Sequence, residues 1–242
     1  MKIGLISSEN KDKDIEFNIK QIKNYTREAK EKSVDLICFG ESFLQGFEGL
    51  TWDYERDCEI AKETESETIS RIRKIAMESG VAISFGFIER ERNTLYSSNL
   101  VIGEDGETVD LFRRVSPGWK EPEATENYKE GKGFHSFRYK GKTFAAAICG
   151  DLWDDKWLSQ MEGIKTDMVF WPLYVDYSIK DWQENNLQDY ADRVKDVESP
   201  VGLINSYVDM EDRANGGCYV FEAGKVKASL PMGNKGILIC SI

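Results

Sequence analysis

The chain has 242 residues, 40% of them hydrophobic and 31% charged, with a formal net charge of −11. That balance belongs to a folded globular chain with room for a substantial core. The acidic surface disfavours nucleic acid, whose phosphates need basic partners, and no apolar run approaches the roughly 18 residues of a membrane span.

"KIGLIS" reads as a first strand, and its apolar stretch is too short for a signal peptide. Ile15, Ile19, Ile22, Thr26 and Ala29 then share one helical face. "VDLICFG" follows as a buried strand. Thr64-Glu65-Ser66-Glu67 fits a capping box for a helix through Ile69, Ile72, Ile75 and Ala76, which Gly80 can end. "VAISFGFIER" and "TLYSSNLVIG" form a hairpin through Arg92-Asn93, and "ETVDLFRRV" adds a strand before a long loop from Ser116 to about Gly133. "FHSFRYK" and "KTFAAAIC" flank a turn at Gly141. A helix around "DKWLSQM", the strand "TDMVFWP", and a helix through Trp182, Tyr190, Val194 and Val197 come next, the last stopped before Pro200. "VGLINSYV", "GGCYVFEAG" and "KGILICSI" close the chain as strands. No repeat or Pro/Gly-rich linker divides it, so one layered α/β domain over 1–242 is expected, with mixed sheets covered by helices.

Five cysteines, at 38, 58, 149, 218 and 240, are an odd number with no C-x-x-C pair. This argues against a disulfide framework and a zinc site and for a reduced, cytoplasmic protein, with neither metal nor cofactor expected. The single histidine, His135, restricts the chemistry further. Cysteine and serine hydrolases commonly take their proton with an imidazole, but His135 lies in an alternating, strand-like segment and reads as structural. If Cys149 is a nucleophile, its base is a carboxylate.

Polar residues gather where strands stop. Glu41 follows "LICFG", Cys149 ends "FAAAIC", Trp171-Pro172 ends "DMVF", and the loop holding Lys120 begins after "LFRRV". Ligands in open α/β sheets sit outside the carboxyl ends of the strands. A carboxylate, a thiol, an aromatic wall and a cation are thereby offered to one place.

Two blocks make the pattern specific. "DLICFGESFLQGF" resembles the first catalytic block of the nitrilase, or carbon–nitrogen hydrolase, superfamily. "AAAICGDLWDD" resembles its cysteine block, especially the form in the glutaminase domains of NAD synthetases. "GETVDLFRRV" resembles the strand that carries the family lysine, and "GGCYVFEAGKVKASL" the late hairpin. The resemblance implies a four-layer αββα sandwich of two mixed sheets. It implies a thiol amidohydrolase acting on a small amide, with Glu41 as general base, Cys149 as nucleophile and Glu123 as a second acid, Glu126 being the competing assignment. Nitrile or N-carbamoyl amine hydrolysis would use the same residues, and a binding or scaffold protein on the same fold is the non-enzymatic alternative.

The family's lysine is displaced. Read without gaps, the Arg-Lys pair falls on Arg113-Arg114, and the nearest lysine is Lys120. Arginine stays protonated and cannot relay a proton, so Lys120 is the expected cation, delivered by an altered loop, and Arg114 is the alternative. The Gly150 N–H is expected to face the developing oxyanion, and a cation beside the thiol is expected to lower its pKa. Trp119, Trp153, Trp171 and Tyr174 either line the substrate pocket or belong to the core. The resemblance further implies a homodimer. As the sequence ends soon after its last strand, the dimer is expected to rest on helix faces near the cysteine and late-helix segments.

Overall fold

The chain builds two six-stranded sheets. The computed structural model describes residues 1–242. Its strands are β1 (Lys2–Ser7), β2 (Leu36–Cys38), β3 (Ala82–Glu91), β4 (Thr94–Ile102), β5 (Thr108–Arg113), β6 (Ser136–Tyr139), β7 (Lys142–Ala146), β8 (Met168–Leu173), β9 (Val201–Asn205), β10 (Cys218–Glu222), β11 (Lys225–Leu230) and β12 (Gly236–Ser241). The first sheet runs β12-β1-β2-β3-β4-β5 and the second β11-β10-β9-β8-β7-β6. β1, β2 and β3 are parallel, as are β7, β8 and β9; the outer strands pair antiparallel. The last strand, β12, returns to pair with the first.

The helices are α1 (Ile15–Glu31), α2 (Tyr54–Ile60), α3 (Glu67–Ser79), α4 (Asp155–Glu162), α5 (Ile179–Asp181) and α6 (Leu187–Arg193), with a π-helical turn, Trp182–Asn186, joining the last two. Period-two alternation sorts the strand residues into layers. Leu36 and Cys38 point between the sheets with Ile3 and Leu5, against Phe144, Met168, Phe170 and Ile204. Ile37, between them, packs under Ile19, Ile22 and Ala29 of α1 and Ile69, Ile72 and Ala76 of α3. On the second sheet Val169 and Trp171 face Leu158 and Met161 of α4 and Tyr190 and Ala191 of α6. The result is the four-layer αββα sandwich. No helix is long and apolar enough to cross a membrane.

Local differences from the sequence reading have physical causes. α3 is capped by Ser66, whose side chain accepts from the Ile69 N–H at 3.4 Å, rather than by Thr64. α2 was invisible to periodicity because its buried residue is an acid, Asp57, held by hydrogen bonds instead of apolar packing. The late helix ends at Arg193, and Val194 and Val197 are buried in the turns beyond it.

Candidate active site

β2, β5 and β7 end on the same side of the sandwich, and each hands a functional side chain to one spot. After β2 the chain turns sharply across β3: the Leu44 N–H donates to the Gly86 carbonyl at 3.1 Å, and a Cβ on Gly86 would lie 2.4 Å from the Ser42 nitrogen. Only glycine permits that approach. The turn, with Ser42 at φ 47°, buries Glu41 to 1% exposure. Arg114 follows β5 directly, its main-chain N–H bonded to the Ser97 carbonyl at 2.9 Å and its carbonyl to the Gly131 N–H at 2.8 Å.

The guanidinium of Arg114 donates to Glu41 Oε1 at 2.8 Å and to Ser116 Oγ at 3.0 Å. Ser97 Oγ donates to the same Glu41 oxygen at 3.3 Å. Glu41 Oε2 is buried and has no protein partner. Burial opposes the charge on Arg114, but Glu41, Cys149 and Asp151 outweigh it and hold the guanidinium above the usual arginine range.

Cys149 does not end β7, whose ladder stops at Ala146. It opens a short 3₁₀ turn, Cys149–Trp153, at φ 44°, a left-handed conformation uncommon for any residue but glycine. Cys149 as a residue is half-buried. Its carbonyl accepts from the Trp171 indole N–H at 2.8 Å. The thiol pKa is pushed up to about 12, first by burial and then by Glu41, with Arg114 and the Tyr174 main-chain N–H pulling the other way. The expectation of a lowered pKa is thus reversed: one cation already paired with Glu41 does not offset desolvation.

Gly150 has a second reason to be glycine. A Cβ there would lie 2.6 Å from Arg114 Nη2 and 3.3 Å from Ser116 Oγ. The missing side chain is the space the guanidinium occupies, and Nη2 is left facing the Gly150 backbone.

The remaining expected residues divide. Lys120 lies elsewhere. Its ammonium pairs with Glu130 and donates to the Tyr128 carbonyl at 3.3 Å, and it makes no hydrogen bond or ion pair with Glu41 or Cys149. The loop turns back onto Tyr128 because Trp119 is buried against Trp52 and Tyr128, which also takes Trp119 out of the candidate pocket. Glu123 and Glu126 are exposed, and neither forms an ion pair with Arg114 or Lys120. Trp171 and Tyr174 do flank Cys149. Tyr174 stacks on Phe47 at 4.5 Å, and Trp171 packs on Tyr190 at 5.3 Å. Trp153, 42% exposed, meets Tyr190 edge-on at 4.9 Å. His135 pairs with Asp110 at 2.7 Å and makes no contact of this kind with the cysteine. No three His, Cys, Asp or Glu side chains converge as a metal site requires.

Sequence reasoning passed over Ser97, Ser116, Tyr190 and Asp151. Asp151 alone had a signal, standing two residues after the cysteine in "CGDLW". The others come from distant segments with no motif of their own.

The sequence pattern of the family described as carbon–nitrogen hydrolase matches residues 2–195. The chain belongs to the carbon–nitrogen hydrolase family. Among curated relatives, a cyanide hydratase of Gibberella baccata is 25% identical over 85% of this chain and 61% of its own length. An N-carbamoylputrescine amidase of Arabidopsis thaliana is 28% identical over 67% of this chain and 55% of its own. This carbon–nitrogen hydrolase chain spans between 34% and 61% of the length of the first such relatives. Among solved structures, an amidase of the nitrilase superfamily from Nesterenkonia superposes with a TM-score of 0.81 at 18% identity, covering 99% of this chain and 89% of that one. A glutamine-dependent NAD+ synthetase from Acinetobacter baumannii gives 0.81 at 20% identity, covering 98% of this chain and 44% of its own. At these identities the two structures speak for the fold.

Proposed function

We propose that this chain is a thiol amidohydrolase that cleaves the non-peptide C–N bond of a small amide, with Cys149 as nucleophile, Glu41 as general base and Arg114 as the cation. The observation that carries the reading is Glu41 Oε2, a buried carboxylate oxygen without a partner beside a thiol that burial keeps protonated. Oε1 is anchored by Arg114 and Ser97, so the open lone pairs are the ones available to take a proton.

In the proposed reaction the Cys149 sulfur adds to the amide carbonyl as its proton passes to Glu41. The oxyanion is held by Arg114 Nη2 and the Gly150 N–H. Removing one such donor costs about 3–4 kcal/mol of barrier in comparable sites. Glu41 returns the proton to the leaving nitrogen, the C–N bond breaks, and a thioester remains. A water deprotonated by Glu41 hydrolyses it to the acid and the free thiol. Arginine serves here because the cation stabilises charge without having to relay a proton; that task belongs to the carboxylate.

Similarity to cyanide hydratases across most of the chain supports a second reading, addition of the same thiol to a nitrile carbon. Ammonia release across small amides, ω-amides, nitriles and N-carbamoyl amines, with amide formation also followed for the nitriles, tests both. Turnover of amides supports the first and turnover of nitriles alone the second. No turnover, together with unselective alkylation of the five cysteines, would leave a binding or scaffold protein on this fold. The thiols are unpaired, which supports a cytoplasmic setting. Homodimerisation over the outer faces of α4 and α6 belongs to the same proposal, and light scattering at 27.7 kDa would reject it.

A further inference from the structure

The proposed site straddles two sheets. Glu41 and Arg114 follow strands of the first, and Cys149 follows a strand of the second. Their alignment therefore depends on what ties the sheets together at this corner, and one side chain does so. Asp151, fully buried, accepts from the Val115 N–H at 3.0 Å and the Ser116 N–H at 2.7 Å with Oδ1, and from the Ile148 N–H at 2.8 Å with Oδ2. Val115 and Ser116 are the two residues after Arg114; Ile148 is the residue before Cys149.

We propose that Asp151 is a positioning residue of this site, its carboxylate stapling the segment that carries Arg114 to the turn that carries Cys149. The inference rests on the amidohydrolase reading above. Arg114 is bracketed in the main chain, by the Ser97 carbonyl on its own N–H and by Asp151 on the two N–H groups that follow. Ser116, fixed by that second bond, accepts the Arg114 Nε–H at 3.0 Å, so the staple also orients the guanidinium. On the other arm, Oδ2 holds the residue entering the left-handed Cys149, a backbone conformation that persists only where its surroundings impose it. The negative charge of Asp151 also stands beside the Arg114 cation, where the expected second acid, Glu123 or Glu126, is absent. Burial raises the Asp151 pKa to about 6 even against these donors, so the chain keeps the group buried at a cost in solvation.

Asp151→Asn is the test, because an amide has one acceptor oxygen and can keep only one arm of the staple. On an amide that the wild type hydrolyses, kcat should fall about tenfold or more while KM stays within about threefold, since misplacing reacting groups costs rate rather than binding. Iodoacetamide labelling of Cys149, followed by intact mass, should slow by about fivefold or more as the thiol leaves its base. Asp57→Asn is the control, a buried carboxylate away from the site that accepts from four donors to Asp151's three, and it should leave that labelling rate within about twofold. Should Asp151→Asn not fold, Asp151→Glu, which keeps both oxygens but lengthens the staple, is read by the same measures. Rates within about twofold of wild type in the folded variant, or an equal slowing in Asp57→Asn, overturn the proposal. If the wild type hydrolyses nothing in the substrate panel, the amidohydrolase reading falls, and the labelling ratio alone decides whether Asp151 positions the thiol.

Discussion

Asp57 and Glu41 are both carboxylates removed from water, 0% and 1% exposed, yet their surroundings treat them differently. Asp57 accepts four hydrogen bonds, from the Thr51 N–H and hydroxyl at 2.8 Å each, the Trp52 N–H at 2.9 Å and the Tyr128 hydroxyl at 2.7 Å. Both its oxygens are occupied, and around it the Trp52–Trp119–Tyr128 cluster closes, with Lys120 turned to Glu130. Glu41 has one oxygen occupied and one open, next to a thiol. A satisfied buried carboxylate is a structural device; a half-satisfied one retains the capacity to take a proton. The comparison also explains why Arg114 pairs with Glu41 and Lys120 does not: the loop holding Lys120 packs against the cluster around Asp57.

The strongest attempt to break that contrast exchanges the open site's reactive atoms. Glu41→Gln and Cys149→Ala should each lower kcat by about a thousandfold or more while the protein stays folded, as for groups that act as a unit. Ammonia release and a thermal melt check both; activity within about tenfold of wild type in either would end the assignment. Next comes the cation. Arg114→Ala should reduce kcat by about a hundredfold or more. It should also destabilise by about 3–5 kcal/mol, because Glu41 is left as an unpaired buried charge. Lys120→Ala should leave kcat within about threefold. An inverted pattern in steady-state kinetics would return the role to the lysine.

A third measurement sharpens the account of the thiol. With a pKa of about 12 for Cys149, the thiolate fraction rises about tenfold per pH unit up to that value. Alkylation should accordingly keep accelerating through pH 10, and a plateau below pH 9 would contradict a thiol held neutral by burial. On the closed side, Asp57→Asn should cost about 2–3 kcal/mol in denaturant unfolding, since at least one buried donor loses its acceptor, with kcat unaffected.

The smallest effect belongs to His135. Its hydrogen bond to Asp110 raises its pKa above the ordinary 6.5, against a smaller effect of burial. The folded state therefore favours the protonated ring: the stabilisation is complete below the unfolded pKa and disappears as pH rises through the raised folded value. The ring is 47% exposed and screened, so the contribution is about 0.5 kcal/mol at most. His135→Gln should lower the melting temperature slightly at pH 5.5, not at pH 9, and leave turnover unchanged; a loss of turnover would reopen a Cys–His pair.

The order of strands and helices, the sorting of apolar faces and the Glu41 and Cys149 blocks were legible in the sequence, because period, capping and short motifs are local properties. α2 was not, since an acid takes the place of its apolar anchor. Which of the two cations pairs with Glu41 was not legible either. Arg114 and Lys120 are six residues apart in "RVSPGWK", and chain length allowed both to reach the thiol. Packing places only Arg114 against Glu41: Trp119 and Tyr128 draw Lys120 away, and Gly150 leaves room for the guanidinium. The staple of Asp151 is likewise a tertiary fact. Its donors are the residue three before it and two residues about 35 positions upstream, in the segment that leaves the other sheet, and no spacing rule connects them. Local sequence determines which residues end a strand; the pairing and packing of two sheets decide which strand ends meet.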